Sequence, residues 1–346
     1  MGGMPGTYLE WVLSATPTRW WHDSADPREL QTGLERGAVG VTTNPFLSNL
    51  ALIKNRRDWA AAIDPVLHQG LAAEQKAEAL MCVPVTRACE MLLPEYERSR
   101  GAMGFVCAQV NPARAGERNC MAGMARRFTR WAPNIAVKLP ATTAGLDVLE
   151  DAVAEGITVT CTVSFTVPQA LAIGERAHRG AERARANGIQ PGRCFAVIMI
   201  GRLDDYLREV ARDSEAPVSE SDVCQAGLAV TKRAYRLYRE RGYGAVLLVA
   251  ALRGDYHLTQ LAGADLLMSI HPACQPWFVE RDHPREERIG QEVAPDVIDR
   301  LSTMPEFVRA YEPEGLMPSE FITYGPTQRT LCQFIEAGWK QIENLQ

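Results

Sequence analysis

Eight short runs rich in apolar and β-branched residues recur along this chain, at residues 20–23, 38–44, 104–110, 135–139, 157–163, 194–200, 245–250 and 265–270. Several are apolar almost throughout, the pattern of parallel strands covered on both faces. Helix-like stretches separate them. Asp26-Pro27 supplies an N-cap and a first-turn proline, with Leu30, Leu34 and Ala38 following at spacing four. Thr142-Thr143 opens another helix, with Leu146, Leu149 and Val153 at helical spacing, and residues 166–188 and 218–241 read as longer ones. Eight strands alternating with helices predict an α/β fold closed as a single (β/α)8 TIM barrel, in preference to a doubly wound sheet. No Gly-x-Gly-x-x-Gly follows the first run, which removes the main argument for a dinucleotide fold.

The expected organisation is one domain over residues 1–346, with the barrel at about 20–272. A helical insertion at about 46–102 separates strands two and three, and a helical extension occupies about 273–346. The extension ends in a helix opened by Gly325-Pro326-Thr327, with Leu331, Phe334, Ile335 and Trp339 on one face. That face suits core packing, a cover over a site, or an interface.

The formal net charge of −5 argues against general nucleic-acid binding, while leaving room for local basic pockets. No segment approaches the length of a membrane span and no secretory leader pattern is present, so a soluble, cytoplasmic protein is expected. A homodimer is compatible with the sequence, which sets no oligomeric state. The nine cysteines are odd in number and contain no Cys-x-x-Cys pair, so neither a disulfide framework nor a zinc cage is expected. Cys107, Cys161 and Cys194 read as small core residues. His271 and Cys274 would make half a metal site without a second half.

Lys138 lies inside Asn134-Ile135-Ala136-Val137-Lys138-Leu139-Pro140, a run that otherwise reads as a buried strand. Burying an unpaired ammonium is costly, so such a lysine tends toward a lowered pKa, and a neutral amine attacks carbonyls to form a Schiff base. The plainer reading is a paired or snorkelling lysine at a strand end. Active sites of these barrels collect at the C-terminal strand ends. There the chain offers Asp23 after strand one, Thr42, Thr43 and Asn44 after strand two, and Gln109 and Asn111 after strand three. Thr160, Thr162 and Ser164 lie on and after strand five, and strands six and seven run into Arg202 and Arg253. A lysine to form an imine, a carboxylate to move protons and two arginines to hold an anionic tail make a coherent set.

Several segments resemble the transaldolase family of class I, Schiff-base aldolases. Gly40-Val41-Thr42-Thr43-Asn44-Pro45 is similar to its second-strand signature, and Val137-Lys138-Leu139-Pro140-Ala141-Thr142 to its lysine segment. Gly201-Arg202, Ala262-Gly263-Ala264-Asp265 and Tyr324-Gly325-Pro326 follow in the family's order, so the resemblance runs from about residue 20 to the end. The long insertion is more like the larger transaldolases than the short fructose-6-phosphate aldolases. The resemblance implies transfer of a dihydroxyacetone unit from a ketose to an aldehyde acceptor, on sugars or sugar phosphates. It implies no metal or organic cofactor. It assigns imine formation to Lys138, proton transfer at the breaking carbon–carbon bond to Asp23, and water positioning to Thr162 with Gln109. It assigns substrate hydroxyls to Asn44 and the phosphate to Arg202 and Arg253, while Thr43, Thr160 and Ser164 complete the substrate-binding lining expected from their strand-end positions.

The departures from the family pattern concern the lining. Transaldolases carry glutamate where this chain has Gln109, which can orient a water but cannot act as a base; glutamine there is a feature of the fructose-6-phosphate aldolase branch. Val197 and Ala251 stand where the family has serines, Thr160 where it has asparagine, and Met199 where it has an aromatic residue. A missing phosphate-site hydroxyl costs about 1.5–3 kcal/mol, enough to alter substrate range without abolishing chemistry. Three readings stay open: a transaldolase, of central or of specialised sugar or natural-product metabolism; a lyase that releases or adds free dihydroxyacetone; and a non-catalytic sugar-phosphate-binding barrel.

Overall fold

The structure, a computed structural model, describes residues 6–346. Eight parallel strands close into a barrel in sequence order: β1 (Arg19–His22), β2 (Gly40–Val41), β3 (Phe105–Gln109), β4 (Ile135–Pro140), β5 (Val159–Thr162), β6 (Cys194–Met199), β7 (Val246–Ala250) and β8 (Leu267–Ile270), with β8 pairing back onto β1. Every expected run holds a strand. The largest difference is the second, which shrinks to Gly40–Val41 because Asn44-Pro45 already starts a helix (Pro45–Lys54).

Helix starts are fixed by residues at the strand exits. Asp26 accepts from the Arg28 and Glu29 amides, Asn44 from Leu47, Thr142 from Gly145 and Thr166 from Gln169. Each satisfies amides that a helix N-terminus leaves open, and three of these helices carry proline in the first turn. The helix after Asp26 stops at Glu35, so Ala38 lies beyond it, in the turn to β2. The insertion between β2 and β3 is three helices, Pro45–Lys54, Arg56–Leu67 and Ala73–Arg98.

The barrel interior is filled by side chains from non-adjacent strands. The Trp21 and Phe195 rings meet at 4.7 Å and Phe105 and Phe195 at 5.5 Å, joining β1, β3 and β6 across the barrel. Gly40 leaves room for this, since a Cβ there would lie 2.5 Å from the Trp21 indole. On β3 the inward face is therefore Phe105, Cys107 and Gln109, by the two-residue period of a strand. The aromatic plug closes the interior toward the N-terminal end, and the polar layer lies above it. Among the described residues, no helix is long and apolar enough to cross a membrane.

The C-terminal extension spans the mouth. Its helix Gly325–Phe334 gives way to a π-helical turn (Ile335–Trp339) before a last short helix, Lys340–Glu343. The expected apolar face of one regular helix is shifted there: Leu331, Phe334 and Trp339 are buried, while Ile335 is only partly so. Gly338 explains the wider turn. A Cβ on it would sit 2.6 Å from the Phe46 amide, so the turn presses its backbone onto the helix that begins just after Asn44.

Candidate active site

Lys138 stands in the middle of β4, 6% exposed, with its Nζ donating to the Thr43 carbonyl oxygen at 3.0 Å. That bond reaches across β3 to the exit of β2, so the amine lies inside the barrel. Burial pushes its pKa below the ordinary lysine range; the Asp23 carboxylate opposes this and the Arg202 guanidinium adds to it. Cys107, directly beneath, donates to Thr160 Oγ1 at 3.4 Å, and burial raises its own pKa, so it stays a neutral thiol at neutral pH. The chain's other buried lysine makes a contrast. Lys232, on an outer helix, donates to the Arg288 and Gln291 carbonyls at 2.9 and 2.5 Å, and burial pushes its pKa down to about 8. It anchors the segment after β8, far from the strand exits.

Asp23 follows β1 and is only partly buried. Its Oδ1 accepts from Thr42 Oγ1 at 2.7 Å, and Thr42 Oγ1 lies 2.5 Å from Ser269 Oγ of β8. With its single proton given to Asp23, Thr42 accepts from Ser269, so a relay of two hydroxyls orients the carboxylate. The sequence placed Thr42 among the polar strand-end residues without a role, and did not single out Ser269. Ser269 is the lone hydroxyl in an apolar strand, and that was its one signal.

Gln109 is the register partner of Lys138, and Lys138 that of Thr160. Thr162 lies one inward position further along β5. The Gln109 carbonyl oxygen and the Thr162 hydroxyl are buried without a protein partner. Buried polar groups are ordinarily paired, so these two mark where a water or ligand oxygen belongs.

Other expected residues are partly committed to the fold. Thr43 Oγ1 donates to the Cys107 carbonyl, and Asn44 Oδ1 serves as a helix cap. The Ser164 hydroxyl donates to the Val197 carbonyl at 2.5 Å, tying the β5 exit to β6. Asn111 is tied to Glu74 of the insertion at 2.7 Å.

The arginines belong to a different construction. Arg202 is in the first turn of the helix Ile200–Asp213, and Arg253 in the loop after β7. Gly201 lets these two segments touch, because a Cβ there would collide with the Ala251 carbonyl oxygen. Arg253 Nε and Nη2 donate to Asp205 Oδ2 at 2.9 and 2.7 Å. Its backbone amide donates to His257 Nδ1 at 3.1 Å, and His257 Nε2 donates to Asp204 at 2.9 Å, with both side chains fully buried. Asp204 also accepts the Gly227 amide at 2.8 Å. The pair therefore locks the Arg253 loop to the helix that bears Arg202. Arg202 Nη1 reaches Thr330 Oγ1 at 3.3 Å, its guanidinium lies 5.6 Å from the Phe334 ring centre, and its Nε is buried without a partner. Burial lowers its pKa, as does Arg253. Two neighbouring guanidiniums, one with an open buried donor, make an arrangement chemically suited to an anion.

A profile of the transaldolase/fructose-6-phosphate aldolase family matches residues 20–305. The chain belongs to that family. It is 31% identical over 226 residues to a transaldolase of Thiobacillus denitrificans, a match covering 64% of this chain and 62% of that protein. It is 30% identical over 242 residues to a transaldolase of Mycolicibacterium smegmatis, covering 66% of this chain and 64% of the other. Both matches span a little under two thirds of the relatives' length. A transaldolase of Parafrankia sp. aligns over 340 residues at 25% identity, covering 94% of this chain and 88% of the other.

Proposed function

We propose that this chain is a transaldolase-type enzyme in which Lys138 forms a Schiff base with a ketose donor and passes a dihydroxyacetone unit to an aldehyde acceptor. The carrying observation is Lys138: an amine inside the barrel whose burial favours the neutral, nucleophilic form. The amine attacks the C2 carbonyl of the donor, and the carbinolamine loses water to give an iminium. Asp23 takes the proton of the C4 hydroxyl while the C3–C4 bond breaks. The bonding pair passes into the iminium, leaving an enamine, and the aldose fragment departs. Attack of the enamine on an acceptor aldehyde, with Asp23 returning its proton to the new alkoxide, rebuilds a ketose that hydrolysis frees from Lys138.

Gln109 and Thr162 suit the placement of the water that enters and leaves at the carbinolamine stage. Gln109 orients that water, and the proton itself passes to other groups. The Asn44 amide nitrogen and the Thr160 hydroxyl suit substrate hydroxyls, while Thr43 and Ser164 contribute by holding Lys138 and the β5 exit. Arg202 and Arg253 take the phosphate. Thr330, from the extension, brings a hydroxyl to an anion site where Ala251, just after β7, has none.

Gln109 favours one second reading, a lyase that releases or adds free dihydroxyacetone. Fructose 6-phosphate supplied with and without an aldose phosphate acceptor separates the readings. A transferase consumes more than one equivalent only when acceptor is present, whereas a lyase releases dihydroxyacetone without it. No consumption in either case would overturn this assignment for that donor.

A further inference from the structure

A cleft of about 750 Å3 lies at the end of the barrel opposite Lys138. It is formed by the loops that lead into β3, β5, β6 and β7, with Tyr96 and Phe105 among its walls. Arg100, Arg185 and Arg193 line it, all exposed, and no aspartate or glutamate does. None of the three pairs with a carboxylate among the described residues. The contrast within one helix (Val167–Ala186) is sharp: Arg176, Arg179 and Arg183 all bind Glu150 or Asp151, while Arg185 faces the cleft unpaired. His178, also in the lining, has Glu182 at 3.4 Å.

Two backbone details point the same way. Arg100 has φ +54°, in the left-handed region where glycine or asparagine is the inexpensive choice, yet arginine occupies it. Gly244 has no positive φ, and a Cβ on it would meet nothing within 4 Å. Neither conformation nor packing calls for glycine there; its effect is to leave the wall of the cleft bare. Unpaired arginines around a concave surface concentrate positive potential, and their planar donors match phosphate oxygens. The volume suits a small metabolite.

We propose that this N-terminal cleft binds a small phosphorylated metabolite with at least two negative charges, at a site separate from the Lys138 mouth. The test is calorimetric titration of pyrophosphate into the wild type and three variants. Arg202→Ala, which removes the anion arrangement at the mouth, should keep the cleft's binding, and the cleft variants are made in that background. Arg100→Glu with Arg193→Glu should bind it about tenfold more weakly or worse, as expected on losing charge-assisted hydrogen bonds. Gly244→Leu should also bind it more weakly, because a side chain fills the cleft without changing its charge. Thermal unfolding midpoints matching the wild type show that the cleft variants are folded, and Arg185→Gln is the milder substitute if the double variant is not. Absence of binding to the wild type overturns the proposal. So does loss of binding in Arg202→Ala alone, which places the anion at the mouth. Full binding by Gly244→Leu also overturns it, since the arginines would then attract the anion without the cleft enclosing it.

Discussion

On one side of the mouth, Lys138, Gln109 and Thr162 stand on strands, with Asp23 one residue beyond one. Hydrogen bonds from the barrel hold Lys138 and Asp23 in place. On the other side, Arg202 and Arg253 stand on a helix turn and a loop, and are held by Asp205, Thr330, Phe334 and the Asp204–His257 pair. The proposed imine side is thus set by the same ladder that closes the barrel. The proposed anion side is assembled from parts that can change without disturbing a strand. On the proposed roles, the chemistry of this frame is hard to alter, while substrate range is open to change through residues off the strands such as Ala251 and Thr330.

If that division is right, substitutions on the two sides differ in kind as well as in size. Lys138→Ala should lower turnover by about 10³-fold or more for every donor, phosphorylated or not, as loss of a covalent nucleophile does. Residual turnover near the wild-type level would end the imine account. Arg202→Ala should cost about 2–3 kcal/mol in kcat/KM, roughly 30- to 150-fold, for a phosphorylated donor only. An equal loss with free dihydroxyacetone would erase the distinction between the sides.

Stability draws the same line. Lys138→Met should stabilise the protein by about 1–2 kcal/mol at neutral pH, because it removes a buried amine whose charge is penalised by burial. The native pKa of Lys138 is lowered, so the unfolded chain binds the extra proton, and the penalty shrinks as pH rises toward the ordinary lysine value. The gain from Lys138→Met, read by denaturant unfolding, should therefore be largest near neutrality and fade in alkali. The smallest effect is expected at the extension. Thr330→Val should raise KM for the phosphorylated donor by about 1 kcal/mol with kcat unchanged, the size of one hydrogen bond. An unchanged KM would remove Thr330 from the anion site.

The imine side was also the more legible in the sequence. Its residues lie on or beside strands whose apolar runs announce them, so polar side chains such as Lys138, Gln109 and Thr162 stand out against their neighbours. The two arginines were legible as well, because they follow strand ends. Their partners were not. Thr330 lies 128 residues from Arg202, and Asp204 lies 53 from His257. Within their own segments these look like ordinary helix residues. The π turn escaped for a similar reason: only the approach of Gly338 to the Pro45–Lys54 helix reveals why the last helix widens there. Ser164 and Asn111 show the reverse case, with polar strand-exit residues largely occupied by structural bonds.

The central claim is that Lys138, and no other amine, carries the donor. Borohydride reduction in the presence of fructose 6-phosphate, followed by peptide mass spectrometry, tests it directly. Lys232 is the internal control, as a second lysine with a lowered pKa but with its ammonium bound to two carbonyls. The account predicts one reduced adduct, on Lys138. An adduct on Lys232 instead, or turnover of the donor with no trapped lysine, would contradict it.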